Sequence, residues 1–382
     1  MSVAVSTLDG TDLLDAYTAG QSSVFVSPSG TLLAEGVHEE VNTSGLADLP
    51  AQVADVFATC GHPVRTVVGA VPFAPDAPAR LIVPERLRRA AVIGSAPAVP
   101  AASAARESLP PIPDPGYVAA VARAVEDIRA GAYTKVVLAR ALRLAADGFD
   151  PTPVVRGLAL GGAGSYTFGI DLGGGRTLFG ASPELLVARH GRMVSANPLA
   201  GSIPRSTDPA EDARRAAGLL ESAKDRHEHT FASEAVAEGL LPFCRDLRVP
   251  SEPTLTATPT MWHLGSRITG EIRDPDVSSL ALATALHPTP AVCGTPAAVA
   301  RRAIAELEPF DRGFFAGMVG WSDASGDGEW AVTIRCATSG PDGLEVYAGA
   351  GIVAASDPDS ELAETTAKLG TILTALGVFD VA

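Results

Sequence analysis

The sequence predicts an α+β fold with antiparallel sheets. Three observations carry that expectation. Strand-like runs are short and turn back through glycine, as in Tyr166–Ile170, Asp171-Leu-Gly-Gly-Gly-Arg176 and Thr177–Gly180. The chain alternates from Trp330 to Ala337, reverses at Ser339-Gly-Pro-Asp-Gly343, and returns from Leu344 to Val353. Helix-then-strands recurs several times without a short tandem repeat, an order that favours α+β.

Taken in order, Met1 to about Pro84 mixes β-like runs (Val24-Phe-Val26, Arg65–Val71) with turn signals such as Ser27-Pro-Ser-Gly30. The helical candidate there is Leu49–Cys60, stopped by Gly61. Gly94–Pro115 is rich in Ala, Pro and Ser and is expected to be a surface linker. The expected organisation is a β-rich segment at 1–93 that completes the sheets, the linker at 94–115, and a catalytic region at 116–382. One structural domain is expected, because the small N-terminal piece has strands that need partners. Tyr117–Ala130 puts Val118, Val121, Val125 and Ile128 on one helical face, and Gly131 ends it. Tyr133–Arg140 follows as a strand. The glycine run at 173–175 opens no helix, so it reads as a hairpin turn and not as a phosphate cradle. Ala210 to about Leu241 is expected to be one long helix broken by Pro242; Ala297–Leu307 and Pro358–Leu376 are further helices.

Composition narrows the function. A chain of 382 residues with 46% hydrophobic and 19% charged side chains can bury a large core. Its formal charge of -15, with 29 basic against 44 acidic residues, opposes binding to nucleic acid or anionic membranes. A small anionic substrate would need locally placed positive charge or a metal. Cys60, Cys244, Cys293 and Cys336 form no Cys-x-x-Cys pair and read as reduced, buried thiols of a cytosolic protein, not as a disulfide framework or a zinc site. The first thirty residues carry Asp9, Asp12 and Asp15 and lack a signal peptide's pattern.

Two acidic stretches stand out, Ser222–Thr230 and Ser360–Thr365. Asp225 and Glu228, like Glu361 and Glu364, are three apart, so each pair shares one face of a helix. Two such faces meeting would repel without a cation between them, and oxygen-only ligands suit Mg²⁺. On spacing alone, an ordinary solvated face explains such pairs better. Lys135, inside an apolar strand, is either a buried base or an edge residue whose amine reaches water. Glu184, after Gly180-Ala-Ser-Pro183 and before an apolar run, is a carboxyl that could keep its proton or a plain element start. Arg335, across a hairpin from Gly349-Ala-Gly351, is a carboxylate receptor or a solvent-facing strand arginine. His227 and His229 point different ways on a helix and cannot share a metal with Glu228. His263 and His287 are isolated and by default structural.

Taken together, Lys135–Arg140, Gly180–Leu186, Pro198–Ser202, Lys224–His229, Leu286–Val292, Ile334-Arg335 and Gly349–Val353 resemble the chorismate-utilising enzymes, the isochorismate synthases in particular. The resemblance runs in order from about Tyr117 to Leu376. It implies the aminodeoxychorismate-synthase-like fold of antiparallel sheets with outer helices, and a Mg²⁺-dependent isomerisation of chorismate. It further implies that Glu228 and Glu364 bind Mg²⁺ while Asp225 and Glu361 hold its waters. Lys135 would be the base that activates water and Glu184 the acid for the leaving hydroxyl. Arg335, with N–H groups of Gly349 and Gly351, would hold the enolpyruvyl carboxylate. His263, Ala291 and Lys368 fall on site positions. Lys135, Ala200 and Ala291 differ from what ammonia-using relatives carry, so no amidotransferase partner is expected, and the chain is expected to be a monomer. Salicylate synthases, which go on to eliminate pyruvate, are the competing reading. The Phe243-Cys244 and Thr260–Leu264 stretches look more like siderophore-type (dihydroxybenzoate) enzymes than menaquinone-type ones.

Overall fold

The computed structural model describes residues 9–43, 45–93, 112–146, 148–162 and 164–378. Most of the Pro/Ala-rich stretch, 94–111, lies outside them. The first part supplies α1 (Gly10–Ala16), β1 (Ser22–Ser27), β2 (Gly30–Glu35), β3 (Glu39–Glu40), α2 (Leu49–Thr59), β4 (Thr66–Val71), β5 (Arg80–Val83) and β6 (Arg86–Ala90). Next come α3 (Pro115–Arg129), β7 (Lys135–Leu144), α4 (Thr152–Gly161), β8 (Tyr166–Gly173), β9 (Arg176–Ser182), β10 (Leu185–His190), β11 (Met193–Asn197) and β12 (Leu199–Pro204). The middle holds α5 (Pro209–Glu221), α6 (Ala223–Leu240), β13 (Cys244–Arg248), β14 (Thr254–Ala257), β15 (Met261–Gly265) and β16 (Ile268–Ile272). The chain then forms α7 (Ser279–Leu286), β17 (Gly294–Thr295), α8 (Ala297–Leu307), β18 (Met318–Asp323), β19 (Gly328–Val332), β20 (Cys336–Gly340), β21 (Gly343–Ile352) and α9 (Pro358–Ala375).

Among the described residues the strands form three sheets. The first runs β17-β7-β21-β20-β9-β8-β1-β2-β6, the second β13-β16-β11-β10-β19-β18-β4-β5-β3, and the third β12-β15-β14. All the pairings are antiparallel. Strands from the first ninety residues sit in both large sheets: β1, β2 and β6 in the first, β3, β4 and β5 in the second.

Side-chain alternation explains the layering. Along β1 and β2, Phe25 and Leu32 join an apolar cluster shared by both large sheets, while Val24, Val26 and Leu33 face the other way. That other face of the first sheet is covered by α1, α4 and α9 through Leu13, Leu14, Val155, Leu369, Ile372 and Leu373. The third sheet is flanked by α5 and α6.

Two expectations need correction. The stretch from Ala210 to Leu241 is two helices, not one. Ser222 (φ −64°, ψ 110°) ends α5 and caps α6, its Oγ accepting the Asp225 N–H at 3.2 Å. No proline or glycine marks that break. The alternating run Trp330–Ala337 is likewise not one strand. β19 belongs to the second sheet and β20 to the first, and the chain changes sheet at Thr333–Arg335. Arg335 takes φ 52° at this elbow, a left-handed conformation that costs a non-glycine residue about 1 kcal/mol.

Candidate active site

Helices α6 and α9 bring the two acidic pairs to one cavity. On α6, His229, Ala232, Val236 and Leu240 are buried, and His229 Nε2 lies 2.8 Å from Ser266 Oγ, which ties the helix down. On α9, Asp357 accepts the Ser360 N–H at 2.9 Å and starts the helix. Arg140 of β7 donates to Thr365 Oγ1 at 3.0 Å and Thr366 Oγ1 at 2.7 Å, docking α9 on the first sheet. Asp225, Glu228 and Glu364 consequently line the cavity, while Glu361 is buried just behind them.

Lysines are interleaved with these carboxylates. Lys135 Nζ donates to Glu228 Oε1 at 2.8 Å, and Lys368 Nζ is 2.6 Å from Glu364 Oε1. Lys224 Nζ is 3.9 Å from Glu361 Oε1, and Ser202 Oγ donates to Glu364 Oε1 at 3.3 Å. With the negative charge divided in this way, no three of the four carboxylates place oxygens within 4.8 Å of one another. For Glu228, burial alone would raise the pKa, but Lys135, helped by Lys368 and Lys224, outweighs it and holds the carboxyl below its usual value. Burial, with Glu228 and Glu364 nearby, raises Asp225; burial and then Glu364 push Glu361 up to about 7. Carboxylates that burial and one another drive toward protonation gain from a divalent cation, and an all-oxygen donor set fits Mg²⁺.

The opposite wall is made at the sheet change. Glu184 sits between β9 and β10, its N–H donating to Ser182 Oγ at 3.2 Å and its Oε1 3.5 Å from the Leu199 N–H. It is 2% exposed, and burial lifts its pKa to about 8 against the pull of Leu199, Lys135, Arg335 and Lys368. A carboxyl in this state carries its proton at neutral pH. The Arg335 guanidinium, lowered by burial to about 10, makes no hydrogen bond or ion pair among the described residues. It is a cation in want of an anion.

Glycines complete the receptor. In the β7–β21 ladder, Val137 and Ala139 oppose Gly351 and Gly349. The Val137 N–H donates to Cys293 O and the Ala139 N–H to Glu308 Oε1, both away from β21. Antiparallel pairing then turns the N–H groups of Gly349 and Gly351 away from β7, on the side of Arg335. The Gly349 carbonyl accepts from Lys368 Nζ at 2.9 Å, in keeping with that direction. A Cβ at Gly351 would collide with Glu228 Oε1 and come within 3.0 Å of Lys135 Cε, so only glycine leaves room for the Lys135–Glu228 pair. His263 Nε2 is buried without a partner among the described residues, its pKa held well below normal by burial and by Arg335 and Lys368.

The cavity is thus lined by Glu184, Asp225, Glu228, His263, Ala291, Arg335, Gly349, Gly351, Glu364 and Lys368. Lys135 is not in the lining: it is 1% exposed and stands behind Glu228 and Gly351, held there by its ion pair. His227 packs edge-on against Phe231 instead of joining the cluster. Sequence reasoning gave no role to Lys224 and Ser202, although both lie in stretches it had singled out. It missed Glu308 and Arg312 entirely. That buried pair clamps the cavity wall from behind, Arg312 donating to Val137 O at 2.7 Å and Val292 O at 2.9 Å. Nothing in Glu308-Pro-Phe-Asp-Arg312 distinguishes it from an ordinary loop.

Residues 73–377 match the family model described as chorismate binding enzyme. The isochorismate synthase DhbC of Bacillus subtilis is 47% identical over 386 residues, covering 96% of each chain. The vibriobactin-specific isochorismate synthase of Vibrio cholerae is 41% identical, over 96% of this chain and 94% of its own. The solved structure of DhbC from Bacillus anthracis has a TM-score of 0.90 at 46% identity, over 97% of this chain and all of that one.

Proposed function

The chain belongs to the chorismate-binding enzyme family, and from that footing we propose that it isomerises chorismate to isochorismate with the help of Mg²⁺. The names of the Bacillus subtilis and Vibrio cholerae relatives support the reaction, and those of DhbC and the vibriobactin enzyme support a siderophore route through 2,3-dihydroxybenzoate. A divalent ion held by Glu228 and Glu364, with Asp225 and Glu361 on its waters, would neutralise the substrate's ring carboxylate and compete with Lys135 for Glu228.

The chain's own residues do the rest. Arg335 and the N–H groups of Gly349 and Gly351 receive the enolpyruvyl carboxylate, satisfying a buried cation that otherwise has no partner. Lys135, freed from Glu228 and neutral, takes a proton from the water that adds to the ring. Glu184 gives its proton to the departing hydroxyl. Ala200 offers no amine for a covalent adduct, and Lys135 stands where ammonia-using relatives usually carry glutamine, which favours water as the nucleophile.

The observation that carries this reading is the separation of the two groups. Lys135 begins β7 and Glu184 follows β9, with β21 and β20 between them in the sheet. A base and a loaded acid so placed reach different sides of a ring held over the glycines, as attack at one carbon and departure from another require. The test is chorismate with protein and Mg²⁺ in ¹⁸O-labelled water, without ammonia, followed by mass-resolved chromatography. An isomer with one heavy oxygen is expected. Salicylate and pyruvate would make the protein a salicylate synthase, and a need for ammonia would sink the role given to Lys135.

A further inference from the structure

We infer that His38, Glu39 and Cys60 form a second metal site, separate from the carboxylate-lined cavity, that takes Zn²⁺ or a cation of its class. His38 precedes and Glu39 begins the edge strand β3, and Cys60 is the C-cap of α2. One ligand atom from each residue lies within 4.8 Å of the other two. Tetrahedral Zn²⁺, with bonds of about 2.0–2.3 Å, holds its donors about 3.3–3.8 Å apart. Small side-chain rotations therefore suffice to close three donors on one ion. The set is one imidazole nitrogen, one carboxylate oxygen and one thiolate sulfur. That mixture suits a borderline cation and not the hard Mg²⁺ of the all-oxygen cavity.

The backbone beneath the three donors is fixed. The His38 N–H donates to Val83 O at 2.9 Å, Glu39 pairs with Val83 in the β3–β5 ladder, and the Cys60 N–H donates to Val56 O at 2.8 Å. The neighbouring Glu40 is engaged by Arg80, whereas Glu39 makes no ion pair among the described residues. Cys60 also stands at the carbonyl end of α2, where the helix dipole favours a cation. The His62 ring stacks on His38 at 4.1 Å between centroids and 24° between planes, its Nδ1 accepting the Val64 N–H at 3.2 Å. Stacked rings cannot both aim lone pairs at one ion, so His62 braces His38, and the fourth position is left to water. His38 is exposed and Glu39 and Cys60 are half-buried, so the ion enters from solvent. Once bound, it ties the C-terminal end of α2 to the edge of the second sheet.

The test uses the full chain after dialysis against a chelator. Cys60 is the sole cysteine that is not buried, so its alkylation by iodoacetamide can be followed by peptide mass spectrometry. Added Zn²⁺ is expected to protect it saturably, about tenfold at ten times the half-protecting concentration. His38→Ala and Glu39→Gln should each abolish the protection, while Glu228→Gln retains it. Co²⁺ added to the wild-type chain should give a thiolate charge-transfer band that Cys60→Ser removes. Labelling that ignores Zn²⁺, or protection that survives His38→Ala and Glu39→Gln, would overturn the site.

Discussion

Two buried ionic groups flank β7, and they are built on opposite rules. Behind the strand, Arg312 and Glu308 are 3% and 2% exposed, and every contact closes on the protein. Arg312 Nε donates to Glu308 Oε2 at 2.8 Å, its two terminal nitrogens reach Val292 O and Val137 O, and Glu308 Oε1 accepts the Ala139 N–H at 2.7 Å. In front of the strand, among the described residues, Arg335 has no hydrogen-bond or ion-pair partner and His263 Nε2 is orphaned, while Glu184 is held protonated by burial. A satisfied buried network fixes structure; an unsatisfied one keeps polar groups ready for something absent from the protein itself. The contrast separates the clamp from the chemistry without reference to any relative.

The contrast breaks most visibly at Glu184. Glu184→Gln keeps the shape and removes the proton donor, so turnover of chorismate should fall by about 10²–10⁴ while the thermal midpoint holds or rises. Loss of stability with turnover intact would place Glu184 among the structural groups. Glu308→Gln should do the reverse. Leaving Arg312 buried without its counter-charge is expected to cost about 3–5 kcal/mol in urea unfolding. Per folded molecule, activity should stay within a few fold. If turnover collapsed in a fully folded Glu308→Gln protein, the clamp would belong to the chemistry.

A pH series sharpens the same distinction. Glu184 titrates near 4.5 when unfolded and at about 8 when folded. Its folded value is raised, so its favourable contribution is complete below about pH 4.5 and is lost as pH climbs through 8. Two effects follow in the wild-type chain: kcat/KM should decline above about pH 8 as the proposed acid loses its proton, and stability should decline between about pH 4.5 and 8, where the unfolded chain has released a proton that the folded one keeps. Glu184→Gln should remove this component of the loss of stability between about pH 4.5 and 8. Equal loss over that interval in both proteins would assign the instability to another group.

Much of this architecture is legible in the sequence where punctuation is local. Gly61 marks the end of α2, Gly131 follows α3, and Ala297–Leu307 forms as its composition suggests. The glycine turn between β8 and β9 is likewise a local matter. The sheet change at Arg335 is not, because Val332-Thr-Ile-Arg-Cys336 alternates as a single strand would. Only the pairing of β19 with β10 and β18, and of β20 with β9 and β21, forces the elbow. The strain lands on the residue that faces the cavity. The acidic pairs are visible from their i,i+3 spacing, but their interleaving with Lys135 and Lys368 depends on helices and strands that meet far from one another in sequence.

The smallest expected effect tests the boundary between the two kinds of group. Ser222 lies beside Asp225 at the rim of the cavity, yet its hydroxyl is spent on the Asp225 backbone N–H, and its role is to start α6 where α5 stops. By the rule of satisfied contacts it belongs with the clamp. Ser222→Ala should therefore cost about 1 kcal/mol of stability, the usual value of an N-cap. It should shift chorismate turnover and the proposed Mg²⁺ requirement by no more than the fraction unfolded. The same hydroxyl also lowers the Asp225 carboxyl somewhat against burial, so a direct role has a distinct signature. A higher half-saturating Mg²⁺ concentration at unchanged stability would show that the cap sets the charge on Asp225. Satisfied contacts would then no longer suffice to mark a residue as structural.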